Sequence, residues 1–105
     1  MIKQRIILYH GDTSQLGIRV YDHQQDGVYR YFPEPEDKIK LELMDTENNL
    51  VAEFEADVSD PEYVYIDIDT SNLATGKYYY RVIIDTQNGK HHIIENKELY
   101  IRGDA

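Results

Sequence analysis

The chain has no cysteine and no tryptophan, and only three prolines and six glycines in 105 residues. Without cysteine there is no disulfide framework, no thiolate metal centre and no thiol nucleophile. That absence fits a reducing compartment. The missing Cys pair and core Trp also remove the signature of antibody domains. Positive charge is scarce: 11 Lys and Arg stand against 20 Asp and Glu, a formal net charge of −9. Such a surface repels phosphate backbones and anionic bilayers, so neither nucleic acid nor a membrane is an expected partner. Long apolar runs are absent too. The first apolar run, Ile6 to Tyr9, is too short for a signal-peptide core and far too short to span a bilayer, so the chain reads as made without a classical export signal. There is no phosphate loop, no glycine fingerprint and no Gly-x-Ser-x-Gly elbow, and Ser14, Ser59 and Ser71 all sit among turn formers. No window carries apolar residues at helical spacing over about three turns.

What is abundant is tyrosine, with ten residues. Tyrosine suits half-buried strands and sheet rims, and it also lines binding faces. Strand patterns fill the rest of the chain, which at this length is expected to be one domain, residues 1–105.

The organising stretch is Thr70 to Ile84. Ser71 and Asn72 can cap a short turn, and Gly76 can take the positive φ that ends it. Tyr78, Tyr80, Val82 and Ile84 then alternate with Lys77, Tyr79, Arg81, Ile83 and Asp85, a period of two that marks a strand. A buried Tyr at the start of such a strand can tie its hydroxyl back to the preceding turn, as the tyrosine corner does in β-sandwiches.

Taken in order, Arg5–Tyr9 reads as a strand. After the turn residues Gly11 to Ser14, Leu16, Ile18 and Val20 alternate as a half-buried strand. Asp26-Gly27 is a hairpin pair, and Val28 to Phe32 is apolar and aromatic. Pro33-Glu-Pro-Glu-Asp37 reads as an edge segment or exposed loop. Ile39, Leu41 and Leu43, then Leu50, Ala52, Phe54, Ala56 and Val58, form a hairpin about the polar turn Asp45 to Asn49. Lys38 and Lys40 are compatible with Glu53 and Glu55 on its wet face. Val64, Ile66 and Ile68 give another strand. Asn88-Gly89 is a hairpin signal, the return strand runs to about Ile94, and a last strand follows Glu95-Asn96.

About seven to nine short strands spaced by turns argue for an all-β antiparallel β-sandwich, with a small barrel as the competing architecture. The residues expected to face inward are Ile6, Leu8, Leu16, Ile18, Val20, Ile39, Leu41, Leu43, Leu50, Phe54, Val64, Ile66, Ile68, Tyr78, Tyr80, Val82, Ile84, Leu99 and Ile101.

Chemistry is sparse. His91 and His92 are neighbours on a strand and point to opposite faces, which does not suit one shared metal. His10 and His23 read as surface residues. Asp67 and Asp69 share a face and could hold Ca²⁺, but dense Asp-Gly loops are lacking and a solvated acidic strand explains them as well. No catalytic residue, metal ligand or cofactor is expected.

Gly11-Asp-Thr-Ser-Gln-Leu-Gly-Ile-Arg-Val-Tyr-Asp22 resembles a pattern of small immunoglobulin-like modules in phage tail and baseplate proteins: Gly-Asp-Thr, then an alternating strand ending in Asp. Leu73-Ala-Thr-Gly-Lys-Tyr-Tyr-Tyr-Arg-Val82 is similar to their glycine–tyrosine corner, and Asn88-Gly89 and Glu98-Leu-Tyr-Ile101 complete the likeness. The family it resembles is the N-terminal domain of the baseplate upper proteins of phages that infect Gram-positive bacteria. The resemblance implies an immunoglobulin-like sandwich and a noncatalytic structural module of a virion. Its partners would be other phage tail or baseplate proteins, with a homo-oligomer possible. The residues expected to form the contact surface are the outward aromatics Tyr21, Tyr29, Tyr31, Tyr63, Tyr65 and Tyr79. A carbohydrate-binding module, stacking sugars on the same tyrosines, is the alternative, and a hydrolase is a third.

Overall fold

The computed structural model describes residues 6–60, 62–86 and 89–103. It contains nine strands and, among the described residues, no helix: β1 (Ile6–Tyr9), β2 (Thr13–Ile18), β3 (Val20–Gln24), β4 (Gly27–Tyr31), β5 (Lys38–Met44), β6 (Leu50–Asp57), β7 (Val64–Asp69), β8 (Gly76–Thr86) and β9 (Gly89–Arg102). Seven make one sheet in the order β1-β9-β8-β5-β6-β7-β2, and β3 and β4 form a separate hairpin. The sheet bends back on itself through β6. That strand pairs with β5 along most of its length, and only Ala56 and Asp57 at its end pair with β7. The chain is thus all-β, with two layers of one nearly closed sheet facing each other. The pairing is not purely antiparallel: β1 lies parallel to β9, Ile6 opposite Leu99 and Tyr9 opposite Arg102.

Alternation builds the core. Ile39, Leu41 and Leu43 of β5, Val64, Ile66 and Ile68 of β7, Tyr78, Tyr80, Val82 and Ile84 of β8 and Leu99 and Ile101 of β9 are buried in one cluster. Each such aliphatic side chain contributes about 1.5–3 kcal/mol by leaving water. Ile6, Leu16 and Phe54 are only partly buried against the cluster.

Two turns lock the layers together. At the β7–β8 corner the Tyr78 hydroxyl donates to the Ala74 carbonyl at 2.7 Å, and Gly76 takes φ 144°. At this corner the Asp69 carboxylate accepts the Ser71 N–H at 3.0 Å, and the Thr70 carbonyl accepts the Leu73 N–H at 3.1 Å. Thr70, fully buried, places its hydroxyl 2.8 Å from the Tyr9 carbonyl and 2.9 Å from that of Asp12. A hydroxyl has one proton to share between them. The β1–β2 turn is fastened to the β7–β8 corner this way, and His10 Nδ1 adds a 2.8 Å bond to the Leu73 carbonyl.

Several expectations from alternation need correcting. Arg19 breaks the run Leu16–Tyr21, so Leu16 and Ile18 belong to the large sheet and Val20 opens the hairpin. The hairpin turn is Gln25-Asp26, one residue earlier than Asp26-Gly27, with Gly27 already in β4. The last two expected strands are one, β9, whose pairing with β8 slips at two irregularities near Val82. Leu50 is 51% exposed rather than inward. A bulge sets Leu50 opposite Met44, although the preceding register would have paired Met44 with Val51. Ile83 is buried although it was expected outward. Asn88 of the expected Asn-Gly turn lies outside the described residues.

Candidate interaction surface

The six tyrosines divide among different surroundings. Tyr65 stands on β7 with Tyr63 just before it, and both are half-buried on the outer face. Their rings stack with centroids 6.0 Å apart at 29°. Gly17 of β2 is the register partner of Tyr65. A Cβ built there would meet that ring at 3.5 Å, an ordinary van der Waals contact, so the Tyr65 ring lies directly against β2 at this position. Arg19 completes the group. Its guanidinium carbon sits 4.6 Å from the Tyr63 ring centroid, and its Nη2 donates to the Tyr63 hydroxyl. Hydrogen bonds to Tyr63 and then to Tyr21 raise the Arg19 pKa, so the charge is permanent. Tyr21, on β3, is 49% exposed. At the margin, Gln15 Nε2 donates to Asp67 Oδ1 at 3.3 Å.

Tyr31 does not belong to this ledge. It is half-buried and packs against the core, and its hydroxyl donates to Asp37 Oδ2, which also accepts the Glu34 N–H at 2.9 Å. The segment expected to be an edge segment or exposed loop therefore buries Pro33 and Asp37 at its base. The hydrogen bond to Asp37, then burial, pushes the Tyr31 pKa from 10.0 to about 12. The folded pKa lies above the unfolded one, so the stabilisation from this contact is complete below about pH 10 and is lost as pH rises towards 12. Burial also raises the Tyr80 pKa, so alkaline titration of phenolate absorbance should show a late phase that includes Tyr31 near pH 12, and Tyr31→Phe should shrink that phase by one phenol. If every tyrosine of the folded chain ionises together near pH 10, the contact is absent.

Tyr79 lies on the other layer. Lys77 Nζ is 5.2 Å from its ring centroid and 4.0 Å from Glu98 Oε1, and Tyr100, not singled out in the sequence, donates to Glu98 Oε2 at 2.6 Å. The Tyr29 side chain lies outside the described set, as do those of His23, His91 and His92. Among the described residues no three His, Cys, Asp or Glu side chains converge as a metal site, and Asp69 is engaged in its turn. A groove of about 120 Å³ between Lys38, Lys40, Glu55, Ile83, Asp85 and Lys90 is lined, among the described residues, by no Ser, Cys or His.

Tyr21, Tyr63 and Tyr65 are thus brought together, and the sequence reading did not include Arg19 or Gly17 among the site residues. Alternation gives no hint that residues 17, 19, 63 and 65 meet, because that depends on the pairing of β2 with β7. No protein-family model matches the chain, and no curated protein matches it.

Proposed function

We propose that the chain is a noncatalytic interaction module of a phage or prophage tail or baseplate, docking onto a neighbouring tail subunit through the ledge of Tyr21, Tyr63, Tyr65 and Arg19. The observation that carries this reading is the cluster itself. Tyrosine and arginine are the residue types that dominate protein-binding hot spots, and here two phenols, Tyr63 and Tyr21, share one guanidinium while Tyr65 stacks on Tyr63.

The immunoglobulin-like form of the sandwich is part of this proposal, and the strand order supports it. Order β5-β8-β9 corresponds to strands C, F and G of that fold, and β2-β7-β6 to B, E and D. The Tyr78 bond then falls at the E–F corner, where the tyrosine corner occurs. A virion location and tail or baseplate partners follow from the resemblance of the Gly11–Asp22 and Leu73–Val82 segments.

The test is calorimetric titration against purified tail and baseplate proteins encoded beside this gene. Binding to one of them, weakened at least about 100-fold by Tyr63→Ala with Tyr65→Ala, is the expected outcome. Binding to none of them overturns the reading. A carbohydrate-binding module is favoured by one feature, the stacked Tyr63–Tyr65 pair beside the Gln15–Asp67 amide and carboxylate. Saturable binding of a soluble oligosaccharide that is lost in the same variant would select it.

A further inference from the structure

The two layers differ in how they settle their charges. The ion pairs among the described residues all lie on the outer face of β5, β6, β8 and β9, where Lys40 and Arg81 meet Glu42 and Glu53, and Lys77 meets Glu98. The outer face of β7 is built otherwise. Asp67 and Asp69 on β7, and Asp57 where β6 joins it, are exposed, and among the described residues none of them has a cation within ion-pair distance. Arg19 is already held by Tyr63 and Tyr21. The strand register brings two of these acids to Tyr65. Asp57 is the register partner of Tyr65 on β6. Directly opposite residues have Cβ atoms about 4.5–5.5 Å apart. Asp67 stands two residues further along β7 on the same face, about 6.6 Å away along the strand. Elsewhere the chain sets cations on its own tyrosines. Lys77 Nζ sits 5.2 Å from the Tyr79 ring centroid and 4.0 Å from Glu98, and the Arg19 guanidinium sits 4.6 Å from the Tyr63 centroid. At Tyr65 the ring and the carboxylates are present, and among the described residues the cation is not.

We propose that Tyr65, Asp57 and Asp67 seat an arginine side chain of the docking partner, its guanidinium on the phenol ring and its charge facing the two carboxylates. Arginine fits this seat better than lysine. Its planar guanidinium stacks on a ring while its N–H fork pairs with carboxylates, whereas an ammonium is compact and more strongly hydrated. Both carboxylates keep acceptor capacity for it. Asp57 accepts the Ser59 N–H at 2.9 Å and Asp67 accepts from Gln15 at 3.3 Å, and a carboxylate offers about four lone-pair sites. The partner surface that meets the ledge is therefore basic, which also matches a chain of net charge −9. This inference rests on the reading of the ledge as a docking surface, and not on the partner being a tail protein.

The probe is a tetra-arginine peptide with blocked ends, titrated into the full chain at about 0.15 M salt, where charges more than about 8 Å apart are largely screened. Amide chemical shifts report the binding. Saturable shifts centred on Asp57, Tyr65 and Asp67 are expected. Asp57→Asn with Asp67→Asn should weaken the binding at least about fivefold, and Tyr65→Leu about threefold, because exposed ion pairs and an exposed cation–π contact each contribute modestly. Glu36→Gln with Glu47→Gln removes the same net charge from exposed positions on other turns and should change the affinity less than about twofold. The amide spectrum of each variant checks that it keeps the fold. No saturable binding overturns the seat. So does a peptide that binds either ledge variant as tightly as the native chain, or one that the control weakens equally. A tail protein that needs Tyr63 and Tyr65 but ignores Asp57→Asn with Asp67→Asn overturns this inference and leaves the tail reading standing. A peptide that behaves as expected while no tail protein binds supports the seat and overturns only the tail reading.

Discussion

Leu41→Ala should cost about 3–4 kcal/mol of folding stability and lower the melting temperature by roughly 15–25 °C. Leu41 is fully buried at the centre of β5, with Phe54 of β6 and Val82 of β8 as register partners on either side. Truncation removes the transfer energy of the lost carbons and leaves a cavity. Hydrogen-bonded strands on both sides hold the walls of that cavity apart, so the site cannot collapse to fill it. A domain of this size has about 5–15 kcal/mol in total, so the change removes a large fraction. Urea denaturation followed by circular dichroism measures it. Leu50→Ala is the matched control. It deletes the same atoms from the same hairpin, yet Leu50 is 51% exposed beyond the bulge, and its cost should stay within about 0.5 kcal/mol. Equal losses at the two positions would mean that the bulge does not exist and that the two strands pair in simple alternation.

The same pair of leucines shows how far the sequence was legible. Period two is a local property, and wherever pairing is regular it placed side chains on the correct face: Val64, Ile66 and Ile68 on β7 and Tyr78, Tyr80 and Val82 on β8 are all buried. The corner at Tyr78 was legible as well, because glycine and tyrosine stand close in the chain and their bond spans four residues. Leu50 was not legible. A bulge depends on how the Asp45–Asn49 turn closes, with Asn48 at φ 67° and the Asp45 carboxylate accepting the N–H groups of Glu47 and Asn49. Tyr31 failed for a different reason. Its partner Asp37 lies in a proline-flanked segment, and only the folded chain shows that this segment turns back to bury a carboxylate. The ledge was half legible: aromatic content marked Tyr63 and Tyr65, but Arg19 and Gly17 reach them across a strand pairing separated by more than 40 residues. Ile83 shows a further limit. Alternation assigns a face, and it does not say how much water that face meets.

Arg81→Met should destabilise the chain by about 2 kcal/mol at neutral pH, with a deficit that shrinks as pH falls. Glu42 lies on the outer face of β5, yet its side chain is only 9% exposed. In the β5–β6 register it stands opposite another acid, Glu53. Two cations make this tolerable: Arg81 Nε donates to Glu42 Oε1 at 2.6 Å, and Lys40 Nζ sits 3.6 Å from Glu42 and 3.3 Å from Glu53. Burial alone pushes the Glu42 carboxyl up, but the hydrogen bond and charge of Arg81, with Lys40 behind them, outweigh it and hold the group below its ordinary value. In the native chain this arrangement therefore contributes above the unfolded carboxylate pKa and is lost as pH falls through the folded one. Methionine keeps the apolar stem of the arginine and removes the guanidinium. Lys40, half-exposed and shared with Glu53, does not replace it. Burial, the largest influence on Glu42, then dominates, and the Glu42 pKa moves above its unfolded value, which reverses the sign of the linkage. The variant should be least stable, relative to the native chain, near pH 7, and should recover about half or more of the loss near pH 4, where Glu42 can take up a proton. Combining Arg81→Met with Glu42→Gln should recover stability at neutral pH and flatten the pH dependence, because no charge is left stranded. Denaturation at the two pH values measures both effects. A deficit of equal size at both would show that the charge pairing of Arg81 with Glu42 contributes nothing to the pH dependence of stability.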